Sequence, residues 1–270
     1  MNTFYDALTK EAQFTCEILC DGITQIRKAN YAKRGIYFQA FTSLSTGYER
    51  IGKLCILLDN MITSNGTVPD AKLFQNELRH NLIKIYEKVK NLQQKRNYCL
   101  EFIQSLDSEE QLKILSILSD FAKGDRYSNF DMLMGKNNYQ DSIEKWYHEV
   151  DLMIYDKKVS EKKKAEIEYN ARAISLLSDS FAMVSYKKED GSKINTVYEG
   201  SRSTGVTEAV QPYRQLYTFQ IARYFMEVLS ALQNEWRKKC NVPIPCFDEI
   251  FRVFYNSDSY VKGRTTWKMI

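Results

Sequence analysis

The strongest constraint on the fold is a series of apolar side chains, spaced at steps of four and three, in residues 34–64. Its members, here called the apolar seam, are Tyr37, Phe41, Leu44, Tyr48, Ile51, Cys55, Leu58 and Ile62. This is an almost strict heptad pattern, which predicts one long helix with a continuous apolar side. The helix should end near Gly66, which can adopt a left-handed conformation, and Pro69 blocks its continuation.

Other segments carry the same helical spacing. They predict helices at residues 3–28, 73–97, 109–123, from about 141, 171–183, from 212 and 247–255. Asn2 can cap the first of these, and Ser108 with Gln111 forms a capping box before the third. Four prolines and eleven glycines in 270 residues suit long uninterrupted helices. The chain is therefore predicted to be all-α, an up-and-down bundle of long antiparallel helices, with one domain over residues 1–270.

Residues 186–211 do not show this helical spacing of apolar residues. Asp190 and Gly191 lie between two short alternating arms, which is the pattern of a β-hairpin. The following "EGSRSTGVTEAVQP" shows no helical period, and Pro212 at its end suits the first turn of the final helix. Residues 186–211 are thus predicted to form an exposed excursion from the bundle.

The composition excludes several classes of protein. The 38 basic and 34 acidic residues give a net charge of +4, which neither demands nor excludes an anionic partner. Six cysteines and two histidines lack the spacing of a zinc site, so neither a metal nor another cofactor is expected. The longest aliphatic run, "LCILL", is far shorter than the roughly 20 residues that cross a bilayer, and no export signal opens the sequence. We expect a cytoplasmic protein with no membrane partner.

A polar stripe lies opposite the apolar seam on the same predicted helix. It contains Glu49 and Lys53, with Arg50 beside them, and Glu49 precedes Lys53 by the four residues that favour an intrahelical ion pair. The stripe is either a solvated helix face or part of a site. Because Leu54 and Leu57 crowd its flanks, the second interpretation stays open.

Three other residues of this helix are unusual on its apolar side. Gly47 and Gly52 each cost about 1 kcal/mol relative to alanine, which predicts the close approach of another backbone. Asp59 falls among the seam residues, where a structural ion pair or a cap is predicted.

Candidates for chemistry are few, because the Walker loop, the dinucleotide fingerprint and the HExxH and GxSxG motifs are absent from the sequence. His80 is a weak catalytic candidate: it follows Arg79, and an imidazole beside a guanidinium can act as general acid or base on phosphodiesters. A packing histidine is the alternative. A second candidate combines a cation, an aromatic ring and an amide, and either binds a nucleotide or ties helices together. Its members are Arg126, Tyr127, Asn129 and Asp131.

Several phrases of the sequence resemble a known family. They are "YFQAFTSLSTGYERIGKLCILLD", "ELRHNLIKIYEKV", "LSDFAKGDRYSNFDML" and "IEKWY" within residues 34–147, and more weakly "YTFQIARYFMEVLSAL". These phrases are similar to bacterial members of the HEPN superfamily, the higher eukaryote and prokaryote nucleotide-binding helical proteins. The resemblance implies an α-helical up-and-down bundle, often dimeric, among proteins that cleave or bind RNA in toxin, antiphage and stress systems.

The sequence departs from that family at its ribonuclease motif. Active HEPN ribonucleases carry an arginine followed by a histidine, with four to six residues between them. The corresponding positions hold Leu73, Phe74 and Gln75 before His80, and Asp141, Ser142 and Ile143 before His148. The usual site is therefore missing, and no catalytic residue carries over.

These observations together predict a HEPN-like, homo-oligomeric protein that binds RNA or a nucleotide in a bacterial defence, toxin or stress context. The predicted contacts are Glu49, Arg50, Lys53, Arg79, His80, Arg126, Tyr127, Asn129 and Asp131. Two alternatives stay open: a non-enzymatic helical module for dimerisation or protein interaction, and a ribonuclease with a rearranged site. Convergence of Glu49, Arg50, His80 and Arg126 in one cleft would favour a site over the structural interpretations.

Overall fold

Long helices make up most of the chain in the computed structural model, which describes residues 3–70, 78–135, 141–178, 181–240 and 242–269. The helices are α1 (Thr3–Lys28), α2 (Arg34–Thr63), α3 (Leu82–Lys95), α4 (Glu109–Lys123), α5 (Ser128–Leu133), α6 (Ser142–Trp146), α7 (Leu152–Lys158), α8 (Glu161–Ser178), α9 (Val197–Lys239), α10 (Phe247–Ile250) and α11 (Asp258–Gly263). Strands β1 (Tyr186–Lys187) and β2 (Lys193–Ile194) pair antiparallel. The predicted all-α bundle with a small hairpin is confirmed.

Helix α2 lies at the centre, where α1 and α9 pack against it and against each other. Helix α1 runs antiparallel to α2. Leu19 of α1 lies against Gly47, while Glu11, two turns earlier in α1, pairs with Arg50 further along α2. The short connection between the two helices permits only this arrangement of neighbours.

Helix α9 runs parallel to α2 rather than antiparallel. The Tyr48 hydroxyl donates to the carbonyl oxygen of Thr218 over 2.7 Å, and the Cys55 thiol donates to that of Phe225 over 3.4 Å. From the first contact to the second, the residue number rises by the same amount in α2 and in α9. The two helices therefore run in the same direction. The long connection through α3 to α8 returns the chain to the end of the bundle from which α2 starts.

The eight residues of the apolar seam are all buried, which confirms the prediction of a central helix. The seam is covered by helices of its own chain, so it offers no surface to a partner. Gly47 and Gly52 do mark close approaches, but the approaching groups are the side chains of Leu19 and Ile85 rather than a backbone. A side chain can enter here because glycine leaves the space of a Cβ free.

Several predicted helix ends differ from the structure, among them residue 183, since α8 ends at Ser178. The capping box is confirmed, since the Ser108 hydroxyl accepts from the Gln111 backbone N–H over 3.2 Å, whereas Asn2 lies outside the described residues. The prediction of a helix at 73–97 is wrong for residues 78–81, which form a turn. Residues 71–77 lie outside the described part of the chain. Helix α8 begins at Glu161 rather than at residue 171, because pairs such as Lys163 with Glu166 stabilise its charged first turns.

The prediction of an irregular stretch up to residue 211 is wrong from Val197 onward, where α9 begins. Thr196 accepts from the Glu199 backbone N–H over 3.1 Å, and Glu199 returns a bond in a second capping box. The segment lacks an apolar period because it meets α8 through small residues: Gly205 lies directly against Ile167. Pro212 therefore lies inside the helix, not at its start.

Asp59 forms the predicted structural ion pair. Its Oδ1 accepts from Nε of Arg96 over 2.6 Å, and Nη1 of the same guanidinium binds Oε1 of Glu235 over 2.6 Å. The Tyr98 hydroxyl also donates to Glu235. This network joins α2, the end of α3 and α9 at one end of the bundle.

The Glu235 carboxylate should make stability depend on pH in the acid range. Burial would raise the pKa of Glu235, but hydrogen bonds from Lys239, Tyr98 and Arg96 outweigh it and lower the pKa to about 2, from 4.5. Because the unfolded chain takes up this proton first, the stabilisation is complete above pH 4.5 and is lost as the pH falls toward 2. We expect the stability advantage of wild type over Glu235→Gln to shrink by about 1–2 kcal/mol between about pH 6 and pH 3.

Urea unfolding of both proteins at the two pH values measures this change. Glu161→Gln is the control, because that carboxylate lies at the surface and pairs with Lys164 alone among the described charged side chains. An advantage of the same size at both pH values would show that the Glu235 network does not titrate as described.

Candidate functional site

A cavity of about 330 Å³ opens on the outer face of α2, on the side opposite the apolar seam. Five predicted residues converge in its wall: Glu49, Arg50, Lys53, His80 and Arg126. The rest of the wall consists of Glu11, Thr42, Ser45, Thr46, Phe121 and Ala122. The polar stripe of α2 is therefore not a plain solvated face, because α1, α4 and the turn before α3 enclose it.

Glu49 lies at the centre of the polar contacts. Its Oε1 accepts from Nζ of Lys53 over 2.6 Å, as the four-residue spacing predicts, and its Oε2 lies 2.9 Å from Nδ1 of His80. Burial would raise the pKa of Glu49, but the hydrogen bonds from Lys53 and His80 outweigh it and lower the pKa. Glu49 is thus ionised at neutral pH and holds two cationic or proton-bearing groups in place.

The contact with Glu49 determines the tautomer of His80. An ionised carboxylate only accepts hydrogen bonds, so Nδ1 carries the proton and Nε2 of a neutral ring is an acceptor. The backbone of His80 has a φ of 50°, in the left-handed region where histidine is enriched among non-glycine residues. The next residue, Asn81, caps α3 by accepting from the Lys84 N–H over 3.1 Å. The turn that holds the imidazole is therefore anchored at the start of a helix.

Arg50 is held from the side of α1. Its Nη1 lies 2.7 Å from both carboxylate oxygens of Glu11, and its guanidinium carbon lies 4.7 Å from the centre of the Phe14 ring. The guanidinium keeps further N–H donors beyond those used by Glu11. The position of Arg50 is thus set by α1 before any ligand binds.

The other predicted contacts are not all brought together. Arg126, in the turn after α4, lines the cavity and its guanidinium lies 5.1 Å from the Tyr127 ring. Among the described residues, the cavity wall does not include Arg79, Tyr127 or Asp131. Asn129 lies in α5, but its side chain is outside the described part of the structure. Of its described side chains, the predicted loop constellation therefore contributes Arg126 alone to this wall.

Two further cavities adjoin the first along α2. One of about 750 Å³ shares Phe121 and Arg126 with it and reaches Phe38 and Arg34, which pairs with Asp141 over 2.5 Å. The other, of about 340 Å³, shares Glu11, Arg50 and Lys53 and is otherwise apolar, with walls of Leu54, Leu57, Val68 and Pro69. The three cavities follow one face of α2 from Arg34 to Leu57, and we call them together the α2 groove.

The first cavity carries a small excess of positive charge. Its wall holds three permanent cations, Arg50, Lys53 and Arg126, against the two carboxylates of Glu11 and Glu49. Protonation of His80 adds a further charge. Both carboxylates are already engaged by cations of the protein, so the remaining donors of the guanidinium and ammonium groups have the chemistry to bind an anion.

Sequence reasoning missed the residues that α1 contributes. Glu11 belongs to an ordinary polar face of α1, and no local pattern indicates that it meets Arg50. The only sequence signal for the adjoining apolar cavity was the position of Leu54 and Leu57 beside the polar stripe. Cys, His, Asp and Glu side chains in the described ranges form no group of three or more that could hold a metal ion.

Comparisons of the chain with models of known protein families, with curated proteins and with solved structures find no match. The class of protein is therefore defined by its own fold and site, an all-α bundle with a groove on its central helix whose first cavity carries a small excess of positive charge. Within the described residues, the helices are too short or too polar to span a membrane.

Proposed function

We propose that this protein binds RNA, or a nucleotide, through phosphate groups in the first cavity of the α2 groove. The observation that carries the proposal is the convergence of Arg50, Lys53, His80 and Arg126 in one open cavity. Guanidinium and ammonium groups that are already positioned by carboxylates bind phosphate without a further loss of side-chain freedom. The net positive charge of the wall favours an anion over a neutral ligand.

The shape of the α2 groove favours a single strand over a mononucleotide. The cavities on both sides of the phosphate-binding centre are continuous with it through shared wall residues. Phe38 lines one of them and is about half exposed, and Phe14 lies partly exposed under Arg50. Exposed aromatic rings beside a cationic cavity suit the stacking of unpaired bases.

The proposal includes the HEPN-like relationship and a role in bacterial defence, toxin or stress systems in the cytoplasm. Its support is the resemblance of residues 34–147, which implies an all-α bundle, the fold that the chain has. The same residues form α2, the His80 turn and the Arg126 turn, the elements that line the first cavity.

A second candidate function is ribonuclease activity with a rearranged site, and one contact favours it. His80 presents an unprotonated Nε2 when neutral, because Glu49 holds the Nδ1 proton. An imidazole in this state can take a proton from a ribose 2′-hydroxyl. Cleavage of labelled RNA by wild type that is abolished in His80→Ala would support this function, and intact RNA with both proteins would exclude it.

RNA binding is tested with Arg126→Ala, since none of the described ion pairs involves Arg126 and its removal leaves no unpaired carboxylate. We expect the affinity for a labelled ten-nucleotide RNA to fall about tenfold, since a hydrogen bond between charged groups contributes about 1.5–3 kcal/mol. The slope of log affinity against log salt should decrease by about one. Fluorescence anisotropy across a salt series measures both quantities.

Arg252→Ala is the matched control, because Arg252 is an exposed arginine outside the three cavities. RNAs of two, five and ten nucleotides and a mononucleotide distinguish a strand from a single nucleotide. Equal effects of the two substitutions, or no salt-dependent affinity for RNA, single-stranded DNA or nucleotides, would contradict the proposal.

A further inference from the structure

The second cavity of the α2 groove, of about 750 Å³, differs in charge from the first. Among the described residues, its wall holds three cationic side chains and four carboxylates, those of Asp125, Asp141, Glu144 and Asp190. An excess of carboxylates disfavours a phosphate and favours a group that donates hydrogen bonds. The two ends of one ligand that occupies both cavities therefore need different chemistry.

Two of these carboxylates are already engaged by the protein. Asp141 caps α6 by accepting from the Ile143 N–H over 2.9 Å, and its other oxygen binds Arg34 over 2.5 Å. Asp190 accepts from the backbone N–H of Ser192 over 2.9 Å and from the hydroxyl of the same residue over 2.6 Å. A ligand that used either carboxylate would have to displace these bonds.

The carboxylate of Asp125 is available to a ligand. It is partly buried, whereas Glu144 is exposed to water. Within the described chain, its side chain accepts a single hydrogen bond, from the Ser142 hydroxyl to Oδ2 over a long 3.4 Å. Burial, and after it the charge of Asp120, raise the pKa of Asp125. Two hydrogen bonds donated by a ligand would stabilise the ionised form.

The same wall provides a surface for stacking. Phe38 is 47% exposed, and its ring packs edge-to-face on that of Phe121, with the ring centres 5.4 Å apart. Phe121 is buried near the end of α4, four residues before Asp125. Stacking on an aromatic ring holds all bases, so the selection of one base depends on hydrogen bonds at its edge.

We infer that the second cavity binds a guanine base, which stacks on Phe38 and donates from N1–H and the 2-amino group to the carboxylate of Asp125. Two adjacent donors on the pairing edge match the two oxygens of a carboxylate, and among the four bases of RNA guanine alone has them. Adenine, cytosine and uracil each have an acceptor beside their donor, which would face the carboxylate. The inference rests on the proposed function, because a phosphate in the first cavity brings the base to the second.

The preference is measured with labelled RNAs of ten nucleotides, all uridine except for one central guanosine, inosine or adenosine. Inosine differs from guanosine only in lacking the 2-amino group. We expect the guanosine RNA to bind about tenfold more tightly than the inosine RNA, the effect of one hydrogen bond to a charged group. The adenosine RNA should bind more weakly still. Fluorescence anisotropy at one salt concentration measures the three affinities, since the phosphates are the same in all three.

Three variants assign the preference to a side chain. Asp125→Asn should bring the guanosine and inosine RNAs within about twofold of each other, because an amide accepts through one oxygen only. Phe38→Leu should weaken both RNAs by the same factor, because stacking does not involve the 2-amino group. Asp156→Asn is the matched control and should keep the preference of wild type, since Asp156 is exposed and lies outside the α2 groove.

The outcomes distinguish this inference from the proposed RNA binding. Salt-dependent binding of all three RNAs with equal affinity overturns the guanine preference and leaves RNA binding in place. No binding of any of the RNAs overturns both. Circular dichroism shows whether Asp125→Asn is folded, and a folded variant that keeps the tenfold preference overturns the role of Asp125 and with it the inference.

Discussion

Replacement of Arg214 by methionine is expected to lower the free energy of unfolding by about 3–5 kcal/mol, because it leaves a carboxylate buried without its partner. Arg214 and Asp151 each have only 1% of their side-chain surface exposed. Nε of Arg214 donates to Oδ1 of Asp151 over 2.6 Å, Nη2 donates to Oδ2, and Nη1 donates to the Ala29 carbonyl over 2.9 Å. The pair joins α9 to the segment between α6 and α7.

Asp151 ends a π-helical turn, Tyr147–Asp151, that interrupts the helix formed by α6 and α7. The turn presents the carboxylate inward, where the Trp146 indole also donates to it over 3.0 Å. Burial raises the pKa of Asp151 to about 6, despite the charge of Arg214. Without that charge the carboxyl group should be protonated in the folded protein at neutral pH.

The loss caused by Arg214→Met should therefore depend on pH. A carboxyl group whose pKa is higher in the folded chain than in the unfolded chain binds its proton preferentially in the folded state, so stability rises as the pH falls. We expect the variant to be less destabilised at about pH 5 than at about pH 8. Urea unfolding of wild type and variant at the two pH values measures the difference.

Arg202→Met is the control for Arg214→Met. Arg202 pairs with Glu168, but 42% of its side chain is exposed, so its loss should cost less than about 1 kcal/mol. The double variant Arg214→Met with Asp151→Asn should recover part of the stability, because asparagine is neutral and needs no proton uptake when the chain folds. If the two arginine substitutions cost the same, the buried pair does not have the proposed role.

Replacement of Gly52 by alanine is expected to destabilise the protein by about 1–3 kcal/mol, the usual cost of overpacking a core. An added Cβ would lie 2.2 Å from Cγ2 of Ile85 and 3.4 Å from the Phe225 ring. The Ile85 methyl belongs to a branched side chain with few rotamers, and Phe225 closes the other side, so neither group can move away freely. The clash should exceed the helix propensity that alanine adds.

Gly35→Ala in the same helix is the matched control. A Cβ at Gly35 would meet no atom within 4 Å, so this substitution should stabilise the protein by up to about 1 kcal/mol. Thermal and urea unfolding of the two variants measures the effects. Stabilisation by both substitutions would show that the Ile85 side chain moves away from the added Cβ at little cost in free energy.

Much of the helical structure could be predicted because its causes are local. The apolar seam of α2 and the capping box at Ser108 each depend on residues within a few turns, and both are found as predicted. The misreading of residues 197–211 has a physical reason as well. Gly205 leaves room for the Ile167 side chain of α8, and a contact made through a glycine leaves no apolar period in the sequence.

The site was predictable only in part. Glu49, Arg50, His80 and Arg126 were recognisable as polar residues of suitable chemistry, and the Glu49–Lys53 pair followed from spacing. Their enclosure was not, because Glu11 comes from a helix whose sequence gives no sign of the contact. The positive φ of His80 belongs to the turn just before α3, and the residue type alone did not predict it.

By itself, the sequence determined that the chain is helical, where α2 runs, which of its sides is buried, and that Asp59 needs a partner. Periodicity, capping and the cost of burying a charge depend on residues close together in the chain. They can therefore be recognised from the sequence without knowledge of the fold. Only the tertiary structure decided that α9 runs parallel to α2 and that apolar side chains of α8 such as Leu176 stay exposed. It also decided that the polar stripe of α2 forms the wall of a groove, because the groups that close it come from α1, α4 and the turn before α3, which are distant from one another in the chain.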